Sequence, residues 1–114
     1  MKRNYGLFIK DILTAMDNID DFIKDTSFEE FCRNEKTKSA VVWQIQVIGE
    51  AVKNIPEKIR GQYKDVPWKY MARMRDKIAH FYFGIDYEIV WDVIKNKIPL
   101  IKPLIEKIYQ ESNK

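Results

Sequence analysis

The 114-residue chain is poor in the residue types and patterns that mark several classes of protein. Four glycines and four prolines are too few for the many tight turns of a β-sandwich. No apolar run reaches the roughly 20 residues that a membrane-spanning helix needs, and Lys10 and Asp11 interrupt the apolar residues near the start. We therefore expect neither a signal peptide nor an association with a membrane.

Cysteine and histidine each occur once, as Cys32 and His80. A lone cysteine excludes an internal disulfide bond and fits the reducing cytoplasm, and we expect it to pack as a small apolar side chain. One histidine among scattered acids offers neither a zinc ligand cluster nor the Glu-x-x-His pairs of di-iron bundles. We therefore expect no metal and no cofactor.

The apolar residues repeat every three or four positions along most of the chain, which predicts helices. Hydrophobic residues make up 46% of the sequence and charged residues 32%, as in an ordinary soluble protein. We predict one all-α domain over residues 1–114, a bundle of four main helices with short helices between them.

The helix boundaries follow from the apolar pattern and from candidate capping residues. The main helices are expected at residues 4–24, from after Lys38 to Pro56, from Pro67 to Tyr82, and from Asp86 to Ile108. A short helix through Phe31 is expected after a cap at Thr26 or Ser27, and Pro56 either ends the second main helix or starts a short one through Tyr63. Asp86 is expected to cap the fourth main helix. Gly49 within the second main helix predicts that another backbone passes close to it. Pro99 and Pro103 predict a kink or a break near residues 97–99.

The net charge of +3 is unevenly distributed along the chain. Residues 1–30 hold four Lys or Arg against seven Asp or Glu, a net charge of −3, whereas residues 53–77 hold eight against three, a net charge of +5. The basic segment would attract a polyanion, and we predict that Lys69, Arg73 and Lys77 contact a nucleic acid. The alternative is a solvated lysine-rich face with no binding role.

The basic segment runs into Arg75, Asp76, His80 and Tyr82, which together offer a phosphate-binding cation, a group that titrates near neutral pH, and a phenol. On a continuous helix Asp76 and His80 share a face, as do Arg75 and Tyr82. Arg75 and His80 would then lie about 140° apart at about 100° per residue. They could converge if the helix end is distorted, or if a second subunit completes the site, and this geometry favours a dimer.

The order Arg75, four residues, His80, one residue, Tyr82 resembles the R-x4-6-H-x-Y signature of the HEPN superfamily, specifically its HepT-like toxins. The resemblance extends from about residue 5 to residue 108. It includes Ile48-Gly49-Glu50-Ala51 followed by Lys53 and Ile55-Pro56, the segment from Pro67-Trp68 to Met74-Arg75-Asp76, and Tyr87 to Ile94 followed by Ile98-Pro99.

The resemblance implies a homodimeric ribonuclease toxin that needs no metal. Arg75 would hold the scissile phosphate, His80 would transfer protons, and Asp76 would position His80 or the substrate. The implied partner is a minimal nucleotidyltransferase antitoxin, which neutralises such toxins by transferring AMP to the motif tyrosine, here Tyr82.

Two other interpretations remain open from the sequence. The chain could be a non-catalytic binding module that forms a complex with a nucleotidyltransferase or with nucleotides, or a plain helical interaction protein. In both, His80 would be a structural residue at a helix end or an interface, and Arg75 with Asp76 an ordinary surface pair.

Overall fold

The computed structural model describes residues 4–80 and 84–112, and for residues 79 and 80 it describes only the backbone. Within these ranges the regular secondary structure is helical apart from one short antiparallel strand pair, which confirms the all-α prediction. The elements are α1 (Tyr5–Ile23), α2 (Phe28–Arg33), α3 (Glu35–Lys53), α4 (Glu57–Gln62), α5 (Trp68–Ala72), α6 (Met74–Ile78), β1 (Ala79–His80), β2 (Gly84–Ile85), α7 (Tyr87–Asp92) and α8 (Ile98–Ser112). A π-helical turn, Val93–Lys97, joins α7 to α8.

Polar side chains fix where the helices begin. Ser27 and Glu30 form a capping box at α2, in which each side chain bonds the other residue's backbone N–H at 3.1 Å. Asn34 accepts a 3.0 Å hydrogen bond from the backbone N–H of Thr37, so α3 begins at Glu35 rather than after Lys38 as predicted. The apolar pattern could not locate this start because the first turn of α3 is polar.

The buried side chains of the long helices form one hydrophobic core. Helix α1 packs on both α3 and α8, and α5 and α6 pack on α3. The ammonium of Lys102 on α8 bridges two carboxylates of α1, at 2.6 Å from Asp17 and 3.1 Å from Asp20. Among the described residues, no helix is long and apolar enough to cross a membrane.

Gly49 marks the contact between α3 and α5. A Cβ atom at this position would lie 3.6 Å from the backbone oxygens of both Met71 and Ala72. The prediction that another backbone passes close to Gly49 is therefore confirmed. The last carbonyls of α5 rest against α3 at the point where α5 ends.

The third main helix differs from the prediction. Instead of one helix from Pro67 to Tyr82, the chain forms two short helices, α5 and α6, which are separated at Arg73 and followed by the extended residues of β1. The apolar period does not reveal this break, because Met71, Met74 and Ile78 are all buried on the side that faces the core.

The fourth main helix continues past Pro99 without a break. The distortion expected near residues 97–99 is instead the π-helical turn, in which the N–H of Ile98 bonds the carbonyl of Val93. Pro99 cannot donate a hydrogen bond, and its ring crowds the carbonyl four residues earlier. A wider helical turn just before the proline accommodates both effects.

Candidate functional site

Helix α6 has one side buried in the core and exposes its charged residues to solvent. Met74 and Ile78, four residues apart, have exposed fractions of 0% and 1% and hold one face of α6 in the core. The three residues between them, Arg75, Asp76 and Lys77, are all exposed. The burial of Met74 and Ile78 therefore fixes the direction in which the Arg75 side chain leaves the surface.

The turn at Arg73 is ordered by backbone hydrogen bonds. The N–H of Arg73 bonds the carbonyls of Tyr70 and Met71, and its own carbonyl accepts from Asp76 at 2.9 Å and from Lys77 at 3.2 Å. The interruption between α5 and α6 therefore keeps these backbone groups paired. Upstream, Trp68 anchors α5 by donating its indole N–H to the carbonyl of Tyr63 at 3.0 Å.

The guanidinium of Arg75 makes no hydrogen bond or ion pair with any residue that the structure describes. The same holds for the side chains of Lys69, Arg73 and Asp76. Four basic residues and one acid therefore lie exposed within residues 69–77. An exposed cation with no internal partner is available to an external anion, and a guanidinium can donate two parallel hydrogen bonds to one phosphate.

The expected helical relation of Arg75 and Asp76 to His80 is wrong, because α6 ends at Ile78, whereas the expected shared face of Arg75 and Tyr82 involves a residue outside the described part of the chain. The carbonyl of Ile78 accepts a 2.8 Å hydrogen bond from the N–H of Asp86, and His80 lies in β1 opposite Gly84. Asp76 and His80 therefore do not share a helix face, and the 140° separation of Arg75 from His80 does not apply. A distorted helix end was one of the two arrangements, beside a second subunit, in which Arg75 and His80 were expected to converge.

Three residues lie between β1 and β2, and the motif tyrosine is one of them. Tyr82 and its neighbours Phe81 and Phe83 lie outside the described residues, as does the side chain of His80. The structure therefore gives the backbone position of His80 and the full position of Arg75. The predicted roles of His80 and Tyr82 remain predictions.

The strand pair is held at its downstream end by Gly84 and Asp86. Gly84 has a φ of 86°, which a residue with a side chain rarely adopts, so a glycine suits the entry to β2. The carboxylate of Asp86 accepts hydrogen bonds from Glu88 at 3.0 Å and Ile89 at 3.2 Å and so caps α7, as predicted. Asp86 thus ties the end of α6 to the start of α7.

Helix α7 is itself anchored by aromatic residues of α2 and by a lysine of α3. The ring of Phe31 lies 6.1 Å from that of Tyr87 and 5.2 Å from that of Trp91, measured between centroids. The ammonium of Lys38, a residue with 8% exposure, lies 4.5 Å from the centroid of Tyr87 and 2.9 Å from the carboxylate of Glu35. Its hydrogen bond to Glu35 raises the pKa of Lys38. The burial of Lys38 could not be predicted from the sequence, since a lysine near a helix start is usually exposed.

Tyr70 on α5 lies beside α6. The ammonium of Lys77 is 5.8 Å from the centroid of its ring, within the range of a cation–π contact. Burial, and to a lesser extent the negative charge of Asp92, raises the pKa of the Tyr70 phenol. The phenol of Tyr70 is therefore neutral at physiological pH.

The arrangement around α6 is suited to holding a phosphate. The guanidinium of Arg75, which has no partner in the described part of the chain, lies within six residues of Lys77 and of the backbone of His80 along an anchored segment. Among the described residues, no group of three or more His, Cys, Asp or Glu side chains is arranged to hold a metal ion.

Comparison with known proteins gives consistent matches over most of the chain. A family model described as "Ribonuclease HepT-like" matches residues 12–108. A Methanocaldococcus jannaschii protein whose name assigns it as an RNase is 49% identical over 110 residues, which cover 96% of this chain and 91% of that protein.

Two relatives from other organisms also have names that assign them as ribonucleases. A Thermococcus cleftensis protein whose name assigns it as a ribonuclease HepT is 41% identical over 108 residues, 95% of this chain and 98% of its own length. A Caldanaerobacter subterraneus protein whose name assigns it as an RNase is 38% identical over 104 residues, 91% of this chain and 93% of its own length. No solved structure matches the chain significantly.

Proposed function

Because the chain belongs to the HepT-like ribonuclease family of the HEPN superfamily, we propose that it is a metal-independent endoribonuclease whose reacting groups are Arg75 and His80. The observation that carries the proposal is the exposed guanidinium of Arg75, which has no partner among the described residues and lies on a helix that ends two residues before His80. That helix end removes the fixed angular separation that a continuous helix would impose on the two side chains.

The proposed reaction uses the RNA's own 2′-hydroxyl as the nucleophile. The 2′-oxygen attacks the neighbouring phosphorus, and the bond from phosphorus to the 5′-oxygen breaks. His80 transfers protons in this step, and Arg75 stabilises the negative charge that grows on the phosphate oxygens. The products are a 2′,3′-cyclic phosphate end and a 5′-hydroxyl end.

Asp76 is proposed as a positioning residue for His80 or for the substrate. Its carboxylate is exposed and has no partner among the described residues, so it is available for either role. Because the helix ends at Ile78, any contact between Asp76 and His80 has to form across the end of α6 and not along one helix face.

The basic residues around Arg75 are proposed to hold the RNA strand. Lys69, Arg73 and Lys77 are exposed, and each phosphate contact that they make would release counterions and render binding salt-dependent. We further propose that residues 1–114 form one domain and that two copies assemble into a dimer, in which the facing motifs share one cleft.

Regulation is proposed to act on Tyr82. A minimal nucleotidyltransferase antitoxin would transfer AMP from ATP to the phenol oxygen of Tyr82, with release of pyrophosphate. The added phosphate and base would block RNA by charge and by size, and the pair would form a toxin–antitoxin system in the cytoplasm. The position of Tyr82, two residues after His80, supports this assignment.

Expression of the protein without a partner tests the proposal. Wild-type protein should arrest growth and fragment cellular RNA, and His80→Ala should do neither while folding normally by circular dichroism. Lys95→Ala serves as a control, since Lys95 is an exposed cation of the π-helical turn that lies outside the motif. Equal toxicity of wild type and His80→Ala would overturn the proposal, and arrest in neither would favour the non-catalytic binding module.

A further inference from the structure

We propose that the groove between α5 and the start of α8 binds one unpaired base of the RNA, on a nucleotide that flanks the scissile phosphate. The inference rests on the proposed function and extends it by assigning a substrate subsite. The groove has a volume of about 380 Å³, within the range of small-molecule sites. Its walls include Asp65, Pro67 and Tyr70 on one side and Lys97, Leu100 and Leu104 on the other.

Leu100 is the first observation that points to a ligand. Its exposed fraction of 73% exceeds those of Trp43 at 61%, Leu7 at 45% and Phe22 at 38%, the other large apolar side chains exposed in the described part of the chain. Ile98 and Ile101 on the same helix are buried, so Leu100 lies off the core-facing stripe. Packing within the described chain therefore does not account for a leucine at this position.

The charges around the groove suit a nucleotide better than a purely apolar partner. Lys97 lines the groove and has no partner among the described residues, and Lys77 lies 5.8 Å from the centroid of the Tyr70 ring. Proteins that bind single-stranded RNA combine an aromatic surface for the base with cations for the backbone. Tyr70, Leu100 and the two lysines reproduce that combination.

The groove meets α6 at Lys77, because the ammonium of Lys77 lies 5.8 Å from the ring centroid of Tyr70, which lines the groove. Lys77 and Arg75 are two residues apart on α6 and therefore leave the helix on different sides. An RNA strand whose phosphate is held by Arg75 would cross the exposed side of this short helix, past Lys77, to place a base against Tyr70. This order along the surface is the reason for assigning the groove to a flanking nucleotide.

Asp65 adds a basis for selectivity. Its carboxylate makes no hydrogen bond or ion pair with the described residues, and it can accept a hydrogen bond from an exocyclic amino group. Cytosine, adenine and guanine carry such a group, whereas uracil does not. We therefore expect the subsite to prefer these three bases over uracil.

The test measures cleavage of a labelled single-stranded RNA of about ten nucleotides, a length within the usual site sizes of proteins that bind single strands. The variants are Leu100→Ser and Lys97→Ala, and their matched controls are Leu7→Ser and Lys95→Ala, which change the same residue types at exposed positions outside the groove. Because all four side chains are exposed, the variants should fold as the wild type does.

Leu100→Ser and Lys97→Ala should each raise KM about tenfold, roughly the effect of losing one stacked base, and leave kcat within about twofold. An RNA with one abasic nucleotide at the flanking position should show the same rise with the wild type and no further rise with Leu100→Ser. KM values equal to those of the controls would overturn the subsite and leave the ribonuclease proposal standing.

If the wild type cleaves no RNA, the proposed function fails, and the same variants then test the subsite through the dissociation constant of the labelled RNA. A loss of binding confined to the two groove variants would uphold an RNA-base site without catalysis. Unchanged binding in all four variants would overturn the subsite as well.

Discussion

Replacement of Phe31 should weaken the aromatic anchor that holds α7 in place behind the strand pair. Phe31 has no exposed surface, and its ring contacts those of Tyr87 and Trp91. Phe31→Leu keeps most of the apolar volume and removes both aromatic pairs, whereas Phe31→Ala also leaves a cavity.

The magnitudes follow from these contacts. Each aromatic pair contributes about 0.5–1.5 kcal/mol beyond its buried area, so Phe31→Leu should lower the free energy of unfolding by about 1–3 kcal/mol. Phe31→Ala should cost about 3–5 kcal/mol because the cavity term is added. A domain of this size has a total stability of roughly 5–15 kcal/mol, so Phe31→Ala removes a large share of it.

Urea denaturation followed by tryptophan fluorescence measures both losses, and Trp91 reports directly because its ring is in contact with Phe31. Phe22→Leu is the matched control, since Phe22 on α1 is 38% exposed and its replacement should cost less than about 1 kcal/mol. Equal losses for Phe31→Leu and Phe22→Leu would refute the claim that aromatic contacts anchor α7.

Three further predictions concern the helix contacts and the surface charges. Gly49→Ala should stabilise the protein by up to about 1 kcal/mol, because a Cβ 3.6 Å from two carbonyl oxygens is an ordinary contact, whereas Gly49→Leu should destabilise it in the same urea assay. Lys102→Ala should cost about 1 kcal/mol or less at low salt and still less at high salt, since both aspartate partners on α1 are about half exposed or more. The raised pKa of Lys102 means that this contribution is present below pH 10.5 and is lost as the pH rises further. The hydrogen bond with Glu111 raises the pKa of Tyr63 to about 12, so spectrophotometric titration of the wild type should show a late tyrosine step that moves towards 10 in Glu111→Gln.

The sequence predicted the long helices well because their signals are repeated and local. The helix over residues 4–24 appears as Tyr5–Ile23, and Ser27, Gly49 and Asp86 perform the capping and packing roles expected of them. These roles depend on a residue's own chemistry or on neighbours within four positions, and such features can be inferred from a sequence.

The segment that carries the motif was predicted less well. The buried residues Met71, Met74 and Ile78 fit one continuous helix, and the interruption at Arg73 leaves these residues buried on both sides of it. The end of α6 depends on a hydrogen bond between Ile78 and Asp86, eight residues apart, which no local period encodes. The motif was therefore recognised from residue types and spacing, but the prediction that Arg75, Asp76 and His80 lie on one helix was wrong.

The groove residues Lys97 and Leu100 were missed for a related reason. A weak signal was present, since Leu100 breaks the period set by Ile98, Ile101 and Ile105. An exposed leucine outside the buried face of a helix suggests a binding site only when the structure shows which residues line the same groove, here Tyr70 of α5.

The most direct test of the account is cleavage of a defined single-stranded RNA by purified protein in the presence of EDTA, with analysis of the product ends. The wild type should produce 2′,3′-cyclic phosphate and 5′-hydroxyl ends, and His80→Ala should reduce the rate by about 10²- to 10⁴-fold. Arg75→Lys should also lose most activity, since it keeps the charge of Arg75 but not its paired donors. Cleavage that requires added metal, or that continues at the full rate in His80→Ala, would contradict the assignment of Arg75 and His80 as the reacting groups.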